Sequence, residues 1–455
     1  MQLAQYAISH KLDKETAFKW WIKPTLKHQD RFLKALKSKY SSRTHKFGIR
    51  VPTSVEEALA IDKETNTTYW HDAIQKEMRN CKTAFKILDD DERAPIGHKW
   101  IKCHLIFDVK MDFTRKARFV AGGHMTNPPA EITYSSVVTR DSIRLAFLIA
   151  ALNDIKILAT DIGNAYLNAK PREKVYLAAG PEFGAELQGR HVIIMRALYG
   201  LKSSGAAWRS HFANTLRTLG FVSCLADPDV WYRAAKKPCG MEYYEYILVY
   251  VDDVLALSHE PEIIMKSLEK YYRLKDGFAK PTQYLGAAVK EWTFPDDASR
   301  PKWALSSEQY IKEAMKNIER HLAEQNRSLR KSNQPMPLAY LPELDITSLL
   351  CEEEIHFYQS QISILRWMVK LGQLDIYINV ALLSSYLTSP RKGHLEAVYC
   401  IYGYLKAHMK STMVFDDAYL NWNEGDFPTY DWMDFYGDVK EEIPKNTPQP
   451  RGQPI

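Results

Sequence analysis

Asp252 and Asp253 stand side by side between two apolar arms, residues 246–251 and 254–257. β-Branched and aromatic residues flanking an acidic pair predict a tight β-hairpin that carries two carboxylates at its turn or bulge. Adjacent like charges repel unless a cation sits between them, and oxygen-only ligands suit Mg²⁺. Asp is also a good turn residue, and for the pair in isolation a plain turn is the commoner explanation. A second stretch changes the balance. Residues 155–161 read as a buried strand ending in Asp161, followed by Ile162, Gly163, Asn164, Ala165 and Tyr166. A strand-end Asp far upstream of a hairpin Asp pair suits two-metal phosphoryl transfer. In that chemistry shared carboxylates hold two ions roughly 4 Å apart, which activate a 3′-oxygen and stabilise leaving pyrophosphate. Gly163 gives the loop the freedom to bring backbone N–H groups near phosphate oxygens.

The elements that must position these side chains follow from periodicity. A helix is predicted from Trp70 to Met78, then strands near 98–107 and 115–121 joined by a polar turn at 110–114. Alternation puts Lys116 and Arg118 on one strand face and Ala117 and Phe119 on the other. Such cations suit a triphosphate, and an exposed polar face explains them too. Residues 142–153 predict a buried helix leading into the Asp161 strand. A hairpin is expected from 175–177 and 191–195, then a turn at 197–202 entering a helix through Trp208. Gly200 there allows close backbone approach and Lys202 reaches phosphate, although turn geometry explains Gly200 equally well. Residues 262–270 read as helix and 284–292 as a strand closing the hairpin's sheet. Pro295, Asp296, Asp297, Ser299 and Pro301 mark 293–302 as a loop and boundary. Helices are expected over 307–321, 357–371, 375–388 and 394–408, with 322–352 irregular. Leu395, Val398, Tyr402 and Leu405 form a packing stripe. Arg391, Lys392 and His394 are either phosphate contacts or a solvated helix start.

At 455 residues the chain holds two or three domains or subdomains. Its net charge of +6 permits a nucleic-acid groove without implying one. Six scattered cysteines without C-x-x-C spacing exclude a zinc knuckle or disulfide framework and suit a reducing compartment. No apolar run is long enough to span a bilayer, and no signal-peptide core is evident, so a soluble intracellular protein is expected. Residues 1–69 are Lys-rich, with Leu26, Leu33, Leu36 and Tyr40 on one helical face; a solvated linker helix explains this better than a nucleic-acid contact. Beyond 415 the chain turns acidic and then Pro-rich, too short for a further ribonuclease H fold.

Taken together these segments resemble reverse transcriptases, and specifically the copia-type (pseudoviral) LTR retrotransposon branch. The resemblance rests on Tyr250-Val-Asp-Asp253, Lys-Ala-Arg-Phe-Val-Ala at 116–121, Asp-Ile-Gly-Asn-Ala-Tyr-Leu-Asn at 161–168, Ala-Leu-Tyr-Gly-Leu-Lys at 197–202 with Trp208, and Tyr-Leu-Gly at 284–286. It implies an α+β right-hand polymerase: fingers, a palm with an antiparallel sheet, and a helical thumb. The implied division is a linker at 1–69, fingers and palm at 70–302, thumb and connection at 303–415, and a tail at 416–455 leading toward ribonuclease H. The implied activity is RNA-directed DNA synthesis, with Asp161, Asp252 and Asp253 as catalytic residues and ligands of two Mg²⁺ ions, or Mn²⁺ in their place. The backbone carbonyl of Ile162 or its neighbour is a further implied ligand. The implied nucleotide-binding set is Tyr166, Lys116, Arg118, Ile162, Gly163, Asn164, Ala165, Gly200 and Lys202.

Tyr166, where the family usually has Phe, matches the ring that sits under the sugar and excludes a 2′-hydroxyl; as residues alone, a core aromatic is the other reading. Ser203, Ser204 and Gly205 stand where relatives often have Gln-Ala-Pro, a local departure that makes this loop more flexible. Implied partners are an RNA template, a DNA primer and deoxynucleoside triphosphates, with ribonuclease H and integrase elsewhere in a polyprotein and no membrane. The setting would be a cytoplasmic retrotransposon particle, with the nucleus as alternative. Two other readings stay open: a catalytically inactive nucleic-acid-binding relic, and a palm-type nucleotidyltransferase unrelated to retroelements.

Overall fold

Period-two alternation of buried and exposed residues shapes the paired strands Cys103–Val109 and Arg115–Ala121. The computed structural model describes residues 45–46, 49–89, 91–109, 113–127, 133–294, 297–418, 437 and 451. The expected basic helix within 1–44 and the acidic tail beyond 418 lie outside these residues, residues 437 and 451 excepted. Along the chain the strands are β1 (His45–Lys46), β2 (Ile49–Arg50), β3 (Phe85–Ile87), β4 (Lys99–Trp100), β5 (Cys103–Val109), β6 (Arg115–Ala121), β7 (Lys156–Ile162), β8 (Val175–Ala178) and β9 (His191–Ile194). They continue as β10 (Val222–Ser223), β11 (Val230–Lys236), β12 (Glu242–Tyr250), β13 (Asp253–Ser258), β14 (Leu274–Ala279), β15 (Gln283–Tyr284), β16 (Ala287–Phe294), β17 (Asp297–Ser306) and β18 (Thr412–Phe415). The chain divides into two units. One takes residues up to Ser135 and Asn164–Phe212; the other takes Ser136–Gly163 and everything from Ala213.

In the first unit, β5 and β6 pair antiparallel, and Leu105, Phe107, Val109, Ala117, Phe119 and Ala121 all turn inward. The helix Tyr69–Cys81 packs there, with Trp70 edge-on to Phe107. Glu77 Oε1 accepts the Phe119 N–H at 3.0 Å. Buried Asp62 fixes the start of that helix by accepting the N–H groups of Trp70 and His71, which supplies the cap its orphan donors require. A second sheet runs β3-β9-β8-β4. The hairpin expected from 175–177 and 191–195 is β8–β9.

The second unit holds a six-stranded sheet in the order β10-β11-β12-β13-β7-β14, antiparallel throughout. The helix Arg140–Leu152 covers it, burying Ile143, Ala146, Phe147 and Ala150, which recur at i, i+3, i+4 and i+7. Thr139 Oγ1 caps this helix by accepting the Ser142 N–H, and Asp227 in turn holds Thr139.

Two sequence expectations need correction here. Residues 284–292 do not form a strand of this sheet. Leu285 and Gly286 both have left-handed backbone (φ 48° and 91°), so the chain reverses between Tyr284 and Ala287. The resulting hairpin belongs to a separate four-stranded sheet, β15-β16-β17-β18. Residues 293–294 and 297–302, expected as loop, are strand. β16 pairs directly with β17.

The expected helices appear as Glu308–Glu324, Glu352–Lys370, Tyr377–Ser384 and Lys392–His408. They share one apolar core that includes Leu395, Val398, Tyr402 and Leu405. No described helix is long and apolar enough to cross a membrane. The described architecture is α+β.

Candidate active site

The acidic hairpin forms as a two-residue turn. Tyr250 pairs with Asp253 across it, so Val251 and Asp252 are the turn and Asp253 is already strand. Val251 has φ 59°, a conformation a β-branched side chain rarely takes, and such outliers concentrate at functional sites. Nothing in the sequence signals it.

β13 pairs on its other edge with β7, and the register sets Asp253 directly opposite Asp161. Residues so paired share a sheet face with Cβ atoms about 5 Å apart. The turn is also latched to β7, since the Ile162 N–H donates to the Asp252 carbonyl at 2.8 Å. Asp161 and the Asp252–Asp253 pair, far apart in sequence, are therefore brought to one strand end by backbone pairing. Further along the same face lie Leu255, Leu257 and Ile157, members of the apolar core. That neighbourhood explains the charge behaviour of the row. Burial first, then Asp252 and Asp161, push the Asp253 carboxyl up to about 6, and Lys275 partly opposes them. An oxygen-only set in mutual repulsion is chemically suited to a hard divalent cation. As placed, the described side chains form no ready cage of three or more His, Cys, Asp or Glu. Asp161 Oδ2 instead lies 3.1 Å from Lys275 Nζ.

Other site residues have more mundane partners. The N–H groups of Ile162 and Gly163 are used within the sheet, by the Asp252 and Arg273 carbonyls, and so do not present themselves to phosphate. A Cβ at Gly163 would meet the Arg273 carbonyl oxygen at 3.2 Å, which explains a small residue there. Asn164 takes a left-handed conformation and opens the short 3₁₀ turn Ala165–Asn168, in which Ala165 is buried. Gly200 has φ 91°, and a Cβ on it would lie 2.1 Å from the Ala121 carbonyl oxygen. Turn geometry and packing therefore account for it. The Lys202 ammonium donates to the Thr126 carbonyl at 2.7 Å and braces the turn. His394, offered as a phosphate contact, is 1% exposed. Its Nδ1 accepts the Arg391 N–H, and its Nε2 contacts the Pro342 carbonyl.

The first unit gathers a different group. Tyr166 is half-buried, its ring centroid 4.8 Å from that of Tyr199. The exposed Arg118 guanidinium lies 4.8 Å over the other ring of this pair, Tyr199. Lys116, two residues before Arg118 on β6, pairs across the hairpin with Asp108. Sequence reading missed Tyr199 as a site residue, although it sits inside the 197–202 segment; its aromatic type between Leu198 and Gly200 was the available signal.

The family described as "Reverse transcriptase (RNA-dependent DNA polymerase)" matches residues 83–324. The chain is 26% identical over 380 residues to the retrovirus-related Pol polyprotein from transposon TNT 1-94 of Nicotiana tabacum, covering 78% of this chain and 26% of that protein. It is 26% identical over 389 residues to the Pol polyprotein from transposon RE1 of Arabidopsis thaliana, covering 80% of this chain and 25% of that one. A putative transposon Ty5-1 protein of Saccharomyces cerevisiae is 29% identical over 250 residues, 54% of this chain and 74% of its own. The chain thus spans about a quarter of the length of the two Pol polyproteins. On its motifs and on these matches, the chain belongs to the reverse transcriptase (RNA-dependent DNA polymerase) family, in its copia-type retrotransposon branch.

Proposed function

We propose that the chain is the polymerase region of a retrotransposon Pol polyprotein and extends a DNA primer on an RNA template. The observation that carries this reading is the register of β7 against β13, which sets Asp161 opposite Asp253 beside the Asp252 turn. In this reading the six-stranded sheet is the palm, the β5–β6 hairpin belongs to the fingers, and the helices of 308–408 are the thumb. Asp161, Asp252 and Asp253 would hold two Mg²⁺ ions, or Mn²⁺ in their place, with the Ile162 carbonyl as a further oxygen. When bound, the ions supply Lewis-acid activation of the primer 3′-oxygen and charge neutralisation of leaving pyrophosphate.

The remaining work belongs to side chains. Two paired strands and the turn latched to them hold the three carboxylates in place before substrate arrives. Arg118 and Lys116 offset triphosphate charge, and Arg118 keeps its direction by stacking on Tyr199. Tyr166, steadied by the same Tyr199 ring, closes the space a 2′-hydroxyl would need. Lys202 and Gly200 support the turn beneath this group. The reading also places ribonuclease H and integrase elsewhere in the polyprotein, and the activity in a cytoplasmic retrotransposon particle.

Primer extension on an RNA template with deoxynucleotides and Mg²⁺ tests it, using Asp252→Asn as the matched variant. The wild type should extend the primer and the variant should lose at least about 10³-fold of that rate. Equal incorporation by both removes the carboxylates from the mechanism. No incorporation by either supports a nucleic-acid-binding relic.

A further inference from the structure

A further charged residue, Lys275, lies in the carboxylate row. β14 pairs with β7 on the side away from β13, and its register sets Lys275 opposite Asp161. Asp253, Asp161 and Lys275 thus stand abreast across three strands. The ladder around Lys275 is not regular. It breaks between Lys275 and Ala279, with Asp276 and Gly277 at φ 58° and 76°. Both flanks of this break are fastened to β7 and its end. The Thr160 hydroxyl donates to the Gly277 carbonyl at 2.8 Å, and the Gly163 N–H to the Arg273 carbonyl at 2.9 Å. A bulge beside a site re-aims a side chain, and here it holds an ammonium against the acidic row. Stability is a poor reason for that arrangement. The pair is open to solvent, with side-chain exposures of 57% for Lys275 and 36% for Asp161, and exposed ion pairs contribute little.

We propose that Lys275 is the resident counter-charge of the carboxylate row, holding the Asp161 oxygen that a divalent cation needs, so that cation affinity is set by competition with this ammonium. The inference rests on the reading of the three aspartates as metal ligands. Its physical basis is charge and reach. An ammonium on a four-carbon stem is a compact single charge that can swing away, and a doubly charged ion outbids it when present. In the absence of the ion, Lys275 offsets part of the repulsion among Asp161, Asp252 and Asp253.

Calorimetric titration of Mn²⁺ into the full chain, without nucleic acid or nucleotide, tests this. Lys275→Met should bind Mn²⁺ roughly three- to tenfold more tightly than wild type, and Lys275→Arg should bind like wild type. Mn²⁺ should raise the melting temperature of Lys275→Met by more than it raises that of wild type. Lys280→Met removes an equal charge from β14's neighbourhood without touching the row, and should leave Mn²⁺ affinity unchanged. If Lys275→Met binds no tighter while wild type binds measurably, the inference is overturned. Equal tightening by Lys280→Met overturns it too, by reducing the effect to net charge. If wild type binds no Mn²⁺, the metal-site reading itself fails, and the inference falls with it.

Discussion

Asp253 is the residue whose chemistry depends most on its neighbours. Burial and two nearby carboxylates raise its folded-state pKa from an ordinary aspartate value to about 6. Between about pH 4 and pH 6 the metal-free folded protein therefore holds a proton that the unfolded chain has lost, and stability falls as pH rises through that window. Asp253→Asn keeps the shape and removes the charge. In EDTA it should melt above wild type at pH 7 and no longer lose stability between pH 4 and 6, read by melting temperature against pH. An unchanged pH profile would mean that folding does not raise the Asp253 carboxyl. Tyr166 makes the second residue-scale prediction. Tyr166→Ala should raise ribonucleotide incorporation relative to deoxynucleotide by at least about tenfold, whereas Tyr166→Phe should not, because a phenyl ring fills the same space. Competitive incorporation assays separate the two, and equal selectivity in Tyr166→Ala would take the sugar gate away from this ring.

At the scale of elements, the tightest constraint is the passage of the 197–202 segment beside β6. The Ala121 N–H donates to the Tyr199 carbonyl at 2.8 Å, and Gly200 follows at a backbone angle that only glycine adopts freely. Gly200→Ala would force a Cβ to within 2.1 Å of the Ala121 carbonyl oxygen. It should destabilise the first unit by at least about 2 kcal/mol, combining left-handed strain with displaced backbone. Hydrogen exchange of β5 and β6 would show this as lost protection, and unchanged protection would refute it. The contrast between legible and illegible elements has a physical cause. The acidic hairpin, the Asp161 strand and the helical stripe through Leu395 and Leu405 were readable because apolar periodicity is local. The hairpin at Tyr284–Ala287 was not, because Leu285 carries no turn signal and takes its left-handed backbone from context. The partners of Lys202 and His394, the Thr126 and Pro342 carbonyls, are 76 and 52 residues away in sequence, so no local pattern signals them.

At the scale of the whole molecule, the chain passes between the two units three times, after Ser135, Gly163 and Phe212. The second passage follows directly on Asp161, so the strand that completes the carboxylate row is supplied by a short excursion rather than by the main run of its own unit. β7 lies between β13 and β14: it is the described strand that β14 pairs with, and it covers the edge of β13 that β12 leaves open. A fragment starting at residue 213 would lack β7 and also the covering helix Arg140–Leu152. It would lose Ile143, Phe147, Ile155 and Ile157 from the sheet's apolar core. The helical core is different, since its buried members all fall within Ile311–Leu405. That fragment should therefore keep a protease-resistant helical body covering about residues 308–408, while β12 to β14 are digested, because an unpaired sheet cannot bury its apolar face. Limited proteolysis with mass spectrometry reads the difference directly. Protection of residues 242–258 in the fragment, comparable to that in the full chain, would show that the hairpin stands without Asp161's strand. In that case the carboxylate row would be an adjacency of two independent pieces rather than the product of one sheet.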